Sequence, residues 1–178
     1  MLVLPATEVR LQEAELVRAA QGGDRSAFGS LYEQYARMVH GILLAHVTYT
    51  EAEDLVQDVF LRAMQQLPSL RDAAAFGGWL AAIARRFAVD LHRKYRPALD
   101  ARDISGGPRP DAQAFELLDT LRNLPKPYRE TLILRLVEGM TAPEIAVQTG
   151  LTPESVRVNL CRGMKLLRQA LGKEASDE

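Results

Sequence analysis

The residues of this chain best suited to chemistry are charged, and they are sorted by sign along its length. From Glu51 to Asp58 the tract EAEDLVQD holds four acids and no base, with Asp54 and Asp58 one helical turn apart and Gln57 beside them. Arg85, Arg86, Arg93, Lys94 and Arg96 then cluster over about three helical turns, with Trp79 near the start of the same segment. Near the end of the chain Arg157, Arg162, Lys165 and Arg168 follow one another with few acids to cancel them. Such cationic stripes neutralise phosphates and fix the register of a nucleic acid. An aromatic ahead of a basic helix, preceded by the loop LPSLRDAA, can hold an unstacked base while arginines track the backbone. Trp79 also shares a stripe with Leu80, Ile83 and Phe87, which favours a core position for it. The acidic face, taken alone, reads as a solvated helix surface, with a docking surface as the alternative.

Catalysis is not indicated. The carboxylates lack a basic or nucleophilic partner at helical spacing, and His40, His46 and His92 do not fall at metal-ligand spacing. No phosphate-cradling glycine loop or nucleophile motif occurs, so neither an enzyme nor a cofactor or metal site is expected.

These residues need helices to position them. The 178 residues are 47% apolar and 25% charged, an ordinary balance for a globular protein, and the length allows two small domains. A formal net charge of −1 means that any nucleic-acid surface must come from local segregation of charge. One cysteine, Cys161, cannot form an internal disulfide, and no uncharged apolar run approaches the ~18 residues of a membrane helix. The start, MLVLPATEVRLQEAE, lacks the basic and apolar regions of a signal peptide, so a cytoplasmic location without membrane insertion is expected.

Helical periodicity dominates, and an all-α fold follows. Asp24 caps a helix whose stripe is Phe28, Leu31, Tyr32, Tyr35, Met38, Val39, Ile42 and Leu43. Thr50 with Glu53 reads as a capping box for the next helix, which Pro68 closes. A third carries Phe76, Trp79, Leu80, Ile83, Phe87 and Leu91 and ends before Pro97. Residues 97–111, PALDARDISGGPRPD, read as a flexible linker that spans roughly 50 Å when extended. The expected organisation is a helical domain at 12–96, the linker at 97–111, and a second helical domain at 112–172. Gly139 is expected to end the helix carrying Tyr128, Leu132, Ile133, Leu136 and Val137.

The most specific local signal lies between Thr141 and Gln169. Thr141 and Glu144 form a capping box, Ala146 is small where two helices cross, Gly150 suits a left-handed turn, and Val156 packs the second helix back. Thr152 caps that second helix and Pro153 opens it. This is a helix-turn-helix pattern, which sets Glu154, Ser155, Arg157 and Val158 at base edges, Arg157 foremost among them, with Arg162 and Lys165 on phosphates. Cys161 reads as a small core residue.

The order DLVQDVF (Asp54 to Phe60), WLAAIARRFAVDLHRK (Trp79 to Lys94), a Pro/Gly linker, LPKPYRETLILRLVEGMTAPEIA and the helix-turn-helix resembles the extracytoplasmic-function sigma factors over nearly the whole chain, from about Glu15 to Leu171. The resemblance implies a sigma region 2 bundle and a sigma region 4 helix-turn-helix. It implies a factor that binds core RNA polymerase and directs promoter-specific transcription initiation, for a stress or envelope-response regulon under an anti-sigma factor. It places Asp54, Gln57, Asp58 and Phe60 on the clamp helices of the largest polymerase subunit, with the second-largest subunit as a further contact. The loop with Leu67, Ser69, Leu70 and Arg71 falls where a flipped base of the minus-ten element is captured, with Trp79, Arg85, Arg86, Arg93 and Lys94 on adjoining promoter DNA. The last helix falls on the minus-thirty-five element. Arg86 stands where the family often has Asn, and Val158-Asn159 where Ser-Arg is common; both bear on promoter preference. The alternative reading is a stand-alone helix-turn-helix regulator with an N-terminal dimerisation or sensing domain.

Overall fold

The computed structural model describes residues 6–99 and 112–174, in which all regular structure is helical. The helices are α1 (Ala6–Gln21), α2 (Arg25–Leu44), α3 (Tyr49–Gln66), α4 (Phe76–Leu99), α5 (Ala112–Asn123), α6 (Lys126–Leu136), α7 (Ala142–Thr149) and α8 (Pro153–Glu174). Short 3-10 turns at Leu67–Ser69 and Ala73–Ala75 join α3 to α4. The first four helices make the N-terminal module and the last four the C-terminal one.

Helix α2 is the axis of the N-terminal module. Asp24 caps it by accepting hydrogen bonds from the backbone N–H groups of Ser26 and Ala27, as its position before an apolar stripe predicts. Leu31, Tyr35, Met38, Val39, Ile42, Leu43 and Leu44 are all buried, a wider set than one stripe supplies. That width follows from the neighbours of α2, which packs against α1, α3 and α4 within its own module and against α6 of the other. Each of these aliphatic side chains contributes about 1.5–3 kcal/mol on full burial.

Three local readings are corrected. The capping box of α3 is Thr48 with Glu51, not Thr50 with Glu53. The segment TYTEAE contains both pairs at the same spacing, and the earlier one starts the helix two residues sooner. Helix α4 runs through Pro97 to Leu99 instead of ending before it; a proline in the last turn removes one backbone donor, and the helix tolerates that here. Helix α1 has no counterpart in the periodicity reading; among its described side chains Glu13, Ala14 and Val17 are buried, and Leu16 and Ala20 pack against the core. Of the expected linker, 100–111 lies outside the described residues.

The two modules pack on one another, and a single continuous apolar cluster runs through both. Arg122 of α5 donates from Nε to the carbonyl of Leu44 at 3.0 Å and from Nη2 to that of Val47 at 2.5 Å. Arg129 of α6 donates to Ala45 O at 3.1 Å. The unpaired carbonyls at the end of α2 are thereby satisfied by the other module. Burial pulls the Arg122 guanidinium below its ordinary range, against the opposing pull of Asp119.

Candidate polymerase and promoter surfaces

Helix α3 turns Ala52, Val56, Val59, Phe60 and Ala63 inward, which leaves Asp54, Gln57 and Asp58 exposed together on the opposite face. Phe60 does not join them. It is only 3% exposed and lies against Phe28 and Tyr32, with ring centroids at 6.3 and 4.5 Å. Its expected place on the polymerase surface is therefore corrected to the core. The outward positions beyond Asp58 belong to Leu61, 55% exposed, and Met64, 46% exposed. The sequence reading missed both, although Gln57, Leu61 and Met64 repeat at the spacing that keeps residues on one helix face.

The segment between α3 and α4 is held from below. Gln21, the last residue of α1, donates to the carbonyls of Leu67 and Leu70 at 3.0 and 2.8 Å. Ser69 Oγ donates to Gln66 O, and Asp72 Oδ1 accepts from Ala74 N. Ser69 and Arg71 point to solvent, Leu70 is half-buried, and Leu67 is an anchor in the core. A buried Leu67 side chain supports the loop; it offers no surface to a base.

Trp79 is half-buried beside Phe76, ring centroids 5.8 Å apart. With Arg62, Gln66, Ile83, Arg86 and Phe87 it lines an open groove of about 620 Å³ between α3 and α4. It packs on the core and remains partly accessible from the groove. Arg86 is exposed, whereas its neighbour Arg85 turns to the C-terminal module. Arg85 Nε and Nη2 donate to the Glu130 carboxylate at 2.6–3.2 Å. Those hydrogen bonds raise the Arg85 pKa further, against the cost of burial. Arg93 and Lys94 are on α4, but their side chains lie outside the described residues.

The helix-turn-helix has the geometry its spacing predicts. Thr141 and Glu144 form the capping box of α7, Ala146 and Val156 are buried at the crossing, and Gly150 takes φ +73°. Thr152 Oγ1 accepts from Ser155 N at 3.1 Å and donates to Ser155 Oγ at 2.9 Å, so part of Ser155 is committed to the cap. Glu154, Arg157, Val158, Arg162, Lys165 and Arg168 are exposed on α8. Asn159 turns inward to Thr131 Oγ1 at 3.3 Å. Cys161 is exposed and borders an apolar groove with Arg157, Leu160 and Met164, which corrects its expected core position: it falls where α8 faces outward past α7.

Residues 31–97 match Sigma-70 region 2 and residues 114–167 match Sigma-70 region 4. CarQ of Myxococcus xanthus, an RNA polymerase sigma factor, is 32% identical over 85% of this chain and 92% of its own length. The chain belongs to the extracytoplasmic-function sigma factors. The sigma factor BldN of Streptomyces coelicolor is 30% identical over 90% of this chain, which spans 66% of BldN. Among solved structures, CnrH in complex with the cytosolic domain of CnrY aligns with a TM-score of 0.64 and 25% identity, covering 90% of this sigma factor and 97% of CnrH. As a sigma factor the protein binds core RNA polymerase and directs initiation at promoters, and the reading as a stand-alone regulator is not favoured. None of its described helices is long and apolar enough to cross a membrane.

Proposed function

We propose that this sigma factor docks on the clamp helices of the largest polymerase subunit through Asp54, Gln57 and Asp58. Leu61 and Met64 supply the apolar part of that contact. The C-terminal module, taken as 112–172, meets the second-largest subunit and reads the minus-thirty-five element through Arg157, with Glu154, Ser155 and Val158 beside it. Arg162 and Lys165 hold the phosphates. The N-terminal module, taken as 12–96, meets the minus-ten element. Ser69, Leu70 and Arg71 capture an extruded base, and Arg86, Arg93 and Lys94, with Arg85 once released from Glu130, hold adjoining DNA.

The observation that carries this reading is the sorting of charge onto separate faces, acidic on α3 and basic on α8, within the order of elements typical of the family. Trapping a base that has left the stack lets binding energy open the duplex without nucleotide hydrolysis. An anti-sigma factor is the expected regulator, since CnrH is seen with the cytosolic domain of CnrY and the Bartonella quintana sigma factor RpoE with the anti-sigma factor NepR. Purified protein added to core polymerase should give promoter-dependent transcripts from a genomic fragment library. No transcript above those of core enzyme alone would reject the proposal.

A further inference from the structure

We propose that the apolar groove between α7 and α8 binds a medium-chain carboxylate with its head on Arg157, and that the bound acid withdraws Arg157 from promoter DNA. The site rests on the groove alone; its effect on initiation rests on the sigma reading above.

Helices α7 and α8 meet at the turn around Gly150, and a groove of about 870 Å³ opens between them. That volume falls within the roughly 300–1,000 Å³ of small-molecule sites. Ala142 and Val147 form the α7 wall, and Leu160, Cys161 and Met164 the α8 wall. Ala142, Leu160 and Met164 pack on the core from one side only and stay half-exposed on the other. A continuous apolar surface left open in this way marks a place where something binds.

Charge and shape select the class of ligand. Among the described residues that line the groove, Arg157 alone is charged, and it is exposed. One fixed cation beside an apolar trough complements one anion on an apolar body. A carboxylate is the anion that suits a guanidinium, because its two oxygens accept from two parallel N–H groups. No aromatic side chain is among the lining residues, so a flat ligand finds no ring to stack on, whereas Leu160 and Met164 adapt to a flexible chain. From Arg157 to Met164 the helix rises roughly 10 Å. An extended chain of about nine carbons, with bonds of about 1.5 Å, covers that distance.

The consequence follows from the fork of donors on Arg157. One guanidinium does not clasp a carboxylate and a base edge together, since both use the same N–H groups. The acid and the minus-thirty-five element therefore compete, and each lowers the affinity of the other by the same factor.

Cys161, the one cysteine of the chain, is an exposed reporter on the groove wall. Calorimetry of the full chain with decanoate should show saturable binding, about tenfold tighter than octanoate. At ten times its dissociation constant, decanoate should slow alkylation of Cys161 by iodoacetamide about tenfold. Decyltrimethylammonium, with the same tail and a cationic head, should give no protection. Arg157→Ala should weaken decanoate about tenfold or more and leave decanol within about twofold of wild type. Val147→Glu, which sets an acid in the wall, should remove both binding and protection, with circular dichroism confirming that the helices are kept. Absence of saturable binding, binding that leaves Cys161 unprotected, or equal protection by decyltrimethylammonium overturns the site. With polymerase holoenzyme, the same decanoate concentration should weaken promoter affinity by up to about tenfold, and Arg157→Ala holoenzyme should not respond. Unchanged promoter affinity of the wild type overturns the competition. If no promoter-dependent transcript forms at all, the sigma reading fails and the competition with it, while calorimetry and alkylation still decide the site.

Discussion

The carboxamide of Gln21, the last residue of α1, donates a 2.8 Å hydrogen bond to the backbone carbonyl of Leu70. A second bond from the same nitrogen reaches Leu67. The segment proposed to capture a base thus takes its shape from a helix more than forty residues earlier. Gln21→Ala should cost about 1–2 kcal/mol of stability, because the half-buried Leu70 carbonyl loses its side-chain donor and the Leu67 carbonyl keeps only the Leu70 N–H. Promoter opening, followed by permanganate reactivity of unpaired thymines, should fall several-fold, while duplex binding at the minus-thirty-five element is retained. Unchanged opening would show that the loop needs no such support.

On α3 the two faces should respond differently. Asp54→Arg and Asp58→Arg change exposed carboxylates and should leave thermal stability within about 0.5 kcal/mol of wild type. Affinity for core polymerase should fall tenfold or more. Phe60→Ala should cost about 3–5 kcal/mol, because it empties a site packed between Phe28 and Tyr32. Thermal melts and polymerase titrations on the same samples separate the two effects. Loss of polymerase binding in a fully stable Phe60→Ala protein would return that side chain to the interface.

The roles proposed for α8 divide into reading and holding. Arg157→Ala should cost about 1–3 kcal/mol at one base pair and relax preference there. Lys165→Ala should weaken all sequences alike and reduce the salt slope by about one. Competition binding of holoenzyme to a base-substituted promoter series, repeated at several salt concentrations, distinguishes them. Uniform loss with Arg157→Ala would move it to the phosphate set.

Glu144 gives the helix-turn-helix an acid sensitivity. Hydrogen bonds from the Thr141 side chain and backbone hold its carboxyl below the ordinary value of 4.5, with smaller help from Arg37 and Arg135. A folded-state value lowered in this way adds stability above the unfolded value, and that stability is lost as pH falls through the folded one. Glu144→Gln keeps a side chain able to complete the box but removes the titration. Melting of wild type should therefore decline more steeply than that of Glu144→Gln below about pH 4.5. Parallel slopes in thermal scans between pH 6 and pH 3 would count against this role.

Much of this architecture was legible because local chemistry specifies it. Asp24, the Thr141–Glu144 box, Gly150 and Pro153 act within a few residues of themselves, and the structure places each as its type dictates. The errors have equally physical causes. Thr48–Glu51 and Thr50–Glu53 are the same signal two residues apart, and only the start of the helix separates them. Phe60 and Leu61 are adjacent and both apolar, so which of them faces inward depends on the rotation of α3 against Tyr32. The seam between the modules was least visible: His40–Glu138 and Arg85–Glu130 join residues 98 and 45 positions apart. The composition of the linker says that the modules are able to separate, not where they rest.

The crossing of α8 over α6 has a further result. A Cβ on Gly163 would meet Leu132 Cδ1 at 2.9 Å and Tyr128 Cβ at 3.0 Å, so α8 lies on α6 with no spacer between them. That hydrogen in place of a methyl works as a depth stop. It fixes how far Arg157 and Arg162 project beyond the rest of the module, and any larger group there would tilt α8 and shift both guanidinium groups relative to the body of the module.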